Sequence, residues 1–172
     1  MPDQVQPSKI LSRQIATVFG VGTLRPAPGT WGSLVALPLF YIVHVASGFL
    51  GVVVATFIIF AVGWWATLEM TRDREDHDPS EIVIDEVAGQ WVALWTLSAG
   101  ATRAEVDLLQ LWPGWIAAFV LFRLFDIWKP GPVGWADQRT DALGVMLDDV
   151  IAGVCAGLGV ALLAGVAHKV LM

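Results

Sequence analysis

Five apolar runs alternate with polar segments along the chain, and this alternation limits the folds that the chain can adopt. The second run, 49–68, is nearly free of charge and is long enough for a membrane helix, which needs about 20 residues. In lipid, every backbone polar group must be paired within the protein, so the run predicts a helix. The other runs are shorter and can be tilted or partly embedded. They cover 34–46, 87–97, 111–125 and 150–166.

The composition agrees with a membrane protein of a single domain, 1–172. Only 15% of the residues are charged and 56% are hydrophobic, whereas a typical soluble domain carries about 25% charged residues. The nine tryptophans and seventeen glycines are typical of membrane segments. The net charge of −6 argues against nucleic-acid binding, which needs a basic face. We therefore predict an all-α fold, a compact polytopic bundle of membrane helices.

The basic residues predict how this bundle is oriented. A tight break at Ser47 and Gly48 separates the first two runs, so the chain makes five passages, some of them short. If the N-terminus is cytoplasmic, eight of the ten Lys and Arg residues lie on the cytoplasmic face, as the positive-inside rule favours. The eight are Lys9, Arg13, Arg25, Arg72, Arg74, Arg123, Lys129 and Arg139, and the other two are Arg103 and Lys169.

Six carboxylates border the apolar runs on that predicted cytoplasmic face. A charge at membrane depth costs about 2.5–3.5 kcal/mol, and neighbouring acids raise one another's pKa. A divalent cation would relieve both costs, and Mg²⁺ takes hard oxygen ligands. Helix caps or solvated loop charges are the alternative for any single acid. The six acids are Asp78, Asp85, Glu86, Asp126, Asp148 and Asp149.

Two of these acid pairs stand directly before apolar runs. The pairs Asp85-Glu86 and Asp148-Asp149 are therefore expected at helix starts, where the helix dipole favours negative charge. Adjacent residues of a helix point about 100° apart. Asp148 and Asp149 thus need not both contact a metal, and one can orient the other's ligand or water.

Two basic residues are candidates for binding phosphate. Arg123 lies within an apolar run and is expected to pair with an acid or a phosphate. Lys129 precedes Pro130, which disfavours helix at the lysine. We expect Lys129 at a helix end close to Asp126. There it either contacts a phosphate or extends its ammonium group towards lipid headgroups.

The glycine-rich segment GVGTLRPAPGTWGS places Thr30 and Ser33 just before an apolar helix. Glycines let backbone N–H groups approach a phosphate, and a helix start favours an anion. A rigid turn at the entry to the membrane explains the segment equally well. His77, beside the acidic segment, is either a base or an ordinary loop residue.

Four segments, in order, resemble the phosphatidylglycerophosphatase A family: APGTWGSL, DPSEIVIDEVAGQWV, FRLFDIWKPGPV and GVMLDDVIAG. The resemblance covers about 23–153. It implies a multi-pass enzyme of the bacterial inner membrane, with its active site facing the cytoplasm. Such an enzyme requires Mg²⁺ and hydrolyses phosphatidylglycerophosphate among membrane lipids to phosphatidylglycerol and phosphate.

Matching positions of these motifs supply the predicted site. The predicted catalytic residues are Asp85, Glu86, Asp126, Lys129 and Asp149. The predicted substrate-binding residues are Thr30, Ser33, Arg123 and Lys129. The predicted metal ligands are Asp78, Asp85, Glu86, Asp148 and Asp149. Asp137, outside the motifs, is a further candidate.

The hypothesis is a metal-assisted hydrolysis of a phosphate monoester, with either water or an aspartate as the nucleophile. A divalent-cation transporter is the rival from another class. It predicts acids near the bilayer midplane on several helices, with access from both faces. A purely structural membrane protein is a third possibility, but it leaves the acids and Arg123 unexplained.

Overall fold

The computed structural model describes residues 7–74, 76 and 78–171, and these residues form six α-helices. No strand occurs in the described part, so the predicted all-α class is confirmed. Short 3-10 turns at Val21–Thr23 and Leu108–Leu111 precede the second and fourth helices. The helices are α1 (Pro7–Ala16), α2 (Pro28–Thr71), α3 (Ile84–Ala104), α4 (Trp112–Trp128), α5 (Pro132–Asp137) and α6 (Ala142–Leu171).

The longest element, α2, consists of two helical segments that fold back on each other as a hairpin. Its 44 residues would extend about 66 Å if straight, roughly twice the hydrocarbon thickness of a bilayer. At Gly48 the backbone leaves the helix with φ 65° and ψ −165°, a conformation that is essentially restricted to glycine. The break predicted at Ser47 and Gly48 is therefore confirmed. It divides α2 into a first arm, 28–47, and a second arm, 49–71.

Contacts with α3 show the direction of the first arm. The indole Nε1 of Trp91 donates to the carbonyl oxygen of Ala36 at 2.9 Å. About two turns farther along both helices, His44 Nδ1 lies 2.8 Å from Ser98 Oγ. Residue numbers therefore rise together in the first arm and in α3, so the two run parallel.

The second arm passes α3 in the reverse order. Trp95 Nε1 donates to Thr56 Oγ1 at 3.1 Å. Gly63, farther along the second arm, lies against Ile84 at the beginning of α3. The second arm is therefore antiparallel to α3, and the chain crosses the bundle twice within α2.

The remaining long helices, α4 and α6, enclose α3 from the other side. Gly114, near the start of α4, lies against Leu97, whereas Phe122, near its end, lies against Gly89. A Cβ on Gly153 of α6 would come within 2.2 Å of the carbonyl oxygen of Gly89. The backbones of α3 and α6 thus touch, as small residues allow in membrane bundles.

Three helices in the described part are long and apolar enough to cross a membrane: α2, Leu108–Trp128 and Ala142–Lys169. Their outer surfaces expose large apolar side chains such as Leu50, Leu124 and Leu162, which is typical of lipid-facing surfaces. The hairpin allows α2 to cross twice, whereas the central α3, with its 21 residues, is not among these three helices. The protein is therefore a membrane protein, and the five passages through the membrane stay a prediction.

One end of the bundle carries the polar segments. There α1 is tied to the loop after α2 by an ion pair between Lys9 Nζ and Asp73 Oδ2 at 2.7 Å. The amide of Val83 donates to the carbonyl oxygen of Ala16 at 2.9 Å. The start of α3, the end of α4 and the short α5 lie at the same end. The candidate site is built there.

Candidate active site

A cavity of about 230 Å³ opens at the end of the bundle where α2 and α3 begin and α4 ends. Eight charged side chains from four separate parts of the chain line its wall, and the sequence analysis predicts all eight for the site. They are Asp78, Asp85, Glu86, Arg123, Asp126, Lys129, Asp148 and Asp149. Ala27, Pro28, Gly29, Ser80, Ile82 and Val145 complete the wall.

Three carboxylates form a cluster that can hold a cation. Asp85 and Glu86 lie in the first turn of α3, as predicted, and Asp149 reaches them from α6. Each offers one oxygen such that the three oxygens lie within 4.8 Å of one another. Asp85 and Asp149 are only 6% and 3% exposed. We call these three residues the acid cluster.

Two oxygens of the acid cluster lack a hydrogen-bond partner among the described residues. They are Glu86 Oε2 and Asp149 Oδ1, and both are buried. A buried charge without a partner is costly, so buried carboxylates are normally paired or coordinate a metal. The donor set and its unpartnered oxygens therefore fit a hard divalent cation.

Arg123 connects the acid cluster with Asp126. Its Nη1 lies 2.7 Å from Asp126 Oδ2 and 3.9 Å from Glu86 Oε1, and it donates to Ser33 Oγ at 3.4 Å. The side chains of Arg123 and Asp126 are each 15% exposed. The expectation that Arg123 pairs with an acid is confirmed.

Lys129 lies at a helix end and lines the same cavity as Asp126, as predicted, and its hydrogen-bond partners are two other acids. It follows α4 with a left-handed φ of 48°, and its amide donates to the carbonyl oxygen of Phe125. Its Nζ donates to Asp148 Oδ2 at 2.9 Å and to Asp137 Oδ1. Burial alone would lower the pKa of Lys129, but these hydrogen bonds raise it above its usual value, so the ammonium stays charged.

The two aspartates on α6 face different partners. The expectation that they begin a helix is wrong, because α6 begins at Ala142 and has no acid in its first turn. Asp141 caps that start by accepting a hydrogen bond from the amide of Gly144 at 2.9 Å. Asp148 then pairs with Lys129, and Asp149 joins the acid cluster.

Asp78 lines the cavity from the loop before α3 but lies outside the acid cluster. Burial raises the pKa of its carboxyl above the usual value, and the charge of Lys129 opposes this effect. His77, the neighbouring candidate base, lies outside the described residues.

Thr30 and Ser33 lie in the first two turns of α2 but do not line the cavity, whereas Pro28 and Gly29 of the same helix start do. Ser33 is fully buried, and its Oγ donates to the carbonyl oxygen of Gly29 at 2.9 Å. Ser33 therefore supports Arg123 and the start of α2. Contact of Thr30 and Ser33 with the substrate stays a prediction.

Gly29 is a site residue that the sequence analysis misses. A Cβ at this position would lie 2.0 Å from Glu86 Oε1 and 3.1 Å from Arg123 Nη1. Its lack of a side chain thus leaves room for the carboxylate of Glu86. The glycine-rich segment was the available signal, but it does not reveal which side chain approaches.

Comparison with known proteins identifies the family. The family model of phosphatidylglycerophosphatase A matches residues 14–164. The chain is 36% identical over 143 residues to the phosphatidylglycerophosphatase A of Haemophilus influenzae, which covers 83% of this chain and 82% of that protein. It is 35% identical over 142 residues to the Escherichia coli protein of the same name, with 81% and 76% covered.

A third relative has a different name. It is a Bacteroides thetaiotaomicron protein, provisionally named a phosphatidylinositol-3-phosphatase, and it is 36% identical over 144 residues, or 81% of this chain and 85% of that protein. No solved structure matches the chain significantly. The family match covers nearly the whole helical bundle, including every charged residue of the cavity. The chain is a phosphatase and belongs to the phosphatidylglycerophosphatase A family.

Proposed function

We propose that this phosphatase hydrolyses phosphatidylglycerophosphate to phosphatidylglycerol and inorganic phosphate, and that it requires Mg²⁺. Two relatives carry the name of that activity. The observation that carries the proposal is a single cavity in which the acid cluster faces two cationic side chains, at the end of an apolar bundle. Such a cavity suits a phosphate monoester whose acyl chains remain in the membrane.

The acid cluster would hold the Mg²⁺. Such sites commonly use one or two carboxylates, and water and substrate phosphate complete the coordination. Asp85, Glu86 and Asp149 supply the ligand oxygens, while Asp78 and Asp148 add negative charge at the wall of the cavity. When bound, Mg²⁺ neutralises phosphate oxygens and lowers the pKa of a bound water.

Arg123 and Lys129 bind the phosphate group from the cationic side of the cavity. Arg123 is already oriented by Asp126 at 2.7 Å, so little reorganisation is needed when the substrate enters. A preorganised cation stabilises the negative charge that develops on the transferred phosphoryl group, and this stabilisation lowers the barrier.

Asp126 accepts the proton of the attacking water. It lines the cavity but lies outside the acid cluster, and Arg123 fixes its carboxylate. The water oxygen bonds to phosphorus, the bond from phosphorus to the glycerol oxygen breaks, and that oxygen takes a proton from solvent. The alternative is direct attack by an aspartate, which would leave an aspartyl-phosphate that hydroxylamine traps.

The bundle lies in the bacterial inner membrane with the cavity on the cytoplasmic face, where the enzyme contributes to phosphatidylglycerol biosynthesis. The predicted eight-to-two distribution of basic residues supports this orientation. In this orientation, the charged cavity at the end of the apolar helices lies at the depth of the lipid headgroups.

A divalent-cation transporter fits the arrangement less well. The transporter reading places acids near the bilayer midplane on several helices, whereas the buried acids among the described residues, Asp85, Asp148 and Asp149, all line the cavity at one end of the bundle. A second lipid substrate is worth testing, because the Bacteroides relative is provisionally named for phosphatidylinositol 3-phosphate.

Phosphate release by the purified protein in lipid–detergent micelles tests this proposal. The substrates are phosphatidylglycerophosphate, phosphatidic acid and phosphatidylinositol 3-phosphate, each with Mg²⁺ and with EDTA. We expect Mg²⁺-dependent release that is fastest from phosphatidylglycerophosphate. Faster release from another lipid would overturn the substrate, and equal release in EDTA would overturn the metal. If no lipid is hydrolysed by the folded protein, cation uptake into proteoliposomes becomes the decisive assay.

A further inference from the structure

Lys129 is shared by two carboxylates that have very different surroundings. Asp148 lines the cavity, and its side chain is 10% exposed. Asp137 lies at the end of α5 outside the cavity wall, and its side chain is 41% exposed. Lys129, which lines the cavity, therefore bridges a buried acid of the site and a solvated acid beside it.

A phosphate that approaches Lys129 meets both of these negative charges. Release of the lysine from Asp148 would leave a buried carboxylate without its cation, which is costly. Release from Asp137 costs much less, because water can solvate a carboxylate that is nearly half exposed. The contact with Asp137 is thus the one that an incoming anion can replace.

We infer that Asp137 competes with the phosphate group of substrate and product for Lys129, and so sets how tightly the site holds phosphate. This inference rests on the proposed function of the cavity. The carboxylate occupies the position of a phosphate oxygen on the ammonium group while the site is empty. Phosphate binding then exchanges one anion for another at Lys129 and leaves the pair with Asp148 intact.

A purely structural role for Asp137 predicts the opposite sign. If Asp137 serves to hold Lys129 in place for phosphate, its removal weakens phosphate binding. If Asp137 competes, its removal strengthens phosphate binding. The direction of the change therefore distinguishes the two roles.

The test measures the affinity for inorganic phosphate by calorimetry, with Mg²⁺ present, for the full chain in detergent micelles. The variant is Asp137→Asn, and Asp141→Asn is its matched control. Asp141 is also an exposed acid on the segment between α4 and α6, but it pairs with Arg139 at 2.7 Å and does not line the cavity. Asparagine also retains the ability to cap α6.

We expect Asp137→Asn to bind phosphate about two- to fivefold more tightly, the range set by an ion pair of this exposure. KM for the lipid substrate should fall as well, and Asp141→Asn should match the wild type in both phosphate affinity and KM. Unchanged or weaker phosphate binding by Asp137→Asn overturns the inference. So does an equal gain in Asp141→Asn, which would indicate a general charge effect.

A second pair of variants ties the effect to Lys129. In a Lys129→Met background, the additional change Asp137→Asn should leave phosphate affinity unaltered, because the shared cation is gone. A gain that persists without Lys129 contradicts competition at this residue. Calorimetry does not need turnover, so a wild type that binds phosphate but hydrolyses no lipid would refute the proposed function alone.

Discussion

Gly153 of α6 rests directly on the carbonyl oxygen of Gly89 of α3, since a Cβ on Gly153 would lie 2.2 Å from that oxygen. This contact brings the two backbones together one helical turn from Asp149. The acid cluster exists because α3 and α6 approach this closely: Asp85 and Glu86 come from one helix and Asp149 from the other. Helix packing and the candidate metal site are therefore coupled.

Gly153→Ala tests this coupling. The new methyl group must push α6 away from α3, and overpacking of this kind costs about 1–3 kcal/mol of stability. Activity should fall together with the midpoint of thermal unfolding in detergent. Gly100→Ala is the control, because a Cβ there meets nothing within 4 Å. Wild-type activity and stability in Gly153→Ala would show that the helices can separate without harm to the site.

Gly29→Ala is expected to act on Glu86. The added Cβ would lie 2.0 Å from Glu86 Oε1, so the carboxylate must shift from its present position in the acid cluster. Displacement of a group at a metal site typically costs about 10–100-fold in metal affinity or activity. The measurement is the Mg²⁺ concentration that gives half-maximal phosphate release, which should rise by at least about tenfold. Gly165→Ala, where a Cβ meets nothing within 4 Å, should keep the wild-type value.

Arg123→Lys retains the positive charge but not the geometry. Arg123 Nη1 contacts Asp126, Glu86 and Ser33 together, and the shorter ammonium group cannot reproduce this arrangement. We expect kcat to fall by about 100-fold, the loss typical of one preorganised donor. Arg103→Lys, near the end of α3 and far from the cavity, is the control. A kcat within twofold of wild type would remove Arg123 from the stabilisation of the transferred phosphate.

The features that could be predicted from the sequence have local signals. Gly48 follows one apolar run and precedes another, so a break there is readable without knowing the fold. Arg123 stands in an apolar run where an unpaired charge is too costly, and it is found 2.7 Å from Asp126. The acidic pair at the start of α3 also follows from its position before an apolar run.

The features that could not be predicted depend on how helices approach one another. The expected place of Lys129 at a helix end near Asp126 is correct, but its two partners, Asp137 and Asp148, are reached through the left-handed turn after α4 and could not be predicted. The approach of Glu86 to Gly29 links residues from two helices, and nothing in either segment alone indicates it.

The sequence analysis predicts the start of α6 at the wrong place for a different reason. The two aspartates interrupt an apolar sequence: residues 142–147, ALGVML, are themselves apolar, but the predicted run begins only at 150, after the acids, whereas the helix begins at Ala142. Its true signal is Asp141, which accepts a hydrogen bond from the amide of Gly144. Capping residues therefore locate this helix start better than hydropathy does.

The central claim is that Asp149 belongs to the metal site of the phosphatase, and Asp149→Asn tests it most directly. The measurement is Mn²⁺ binding, detected by electron paramagnetic resonance, alongside phosphate release from phosphatidylglycerophosphate in the same micelles. Mn²⁺ prefers the same carboxylate ligands as Mg²⁺. Asparagine removes one charge from a crowded group of acids, so the variant should still fold.

We predict that the wild type binds Mn²⁺, that Mg²⁺ displaces it, and that folded Asp149→Asn loses both the binding and the hydrolysis. Asp141→Asn, which changes the same charge outside the cavity, should retain both. Wild-type Mn²⁺ binding and turnover in folded Asp149→Asn would contradict the account.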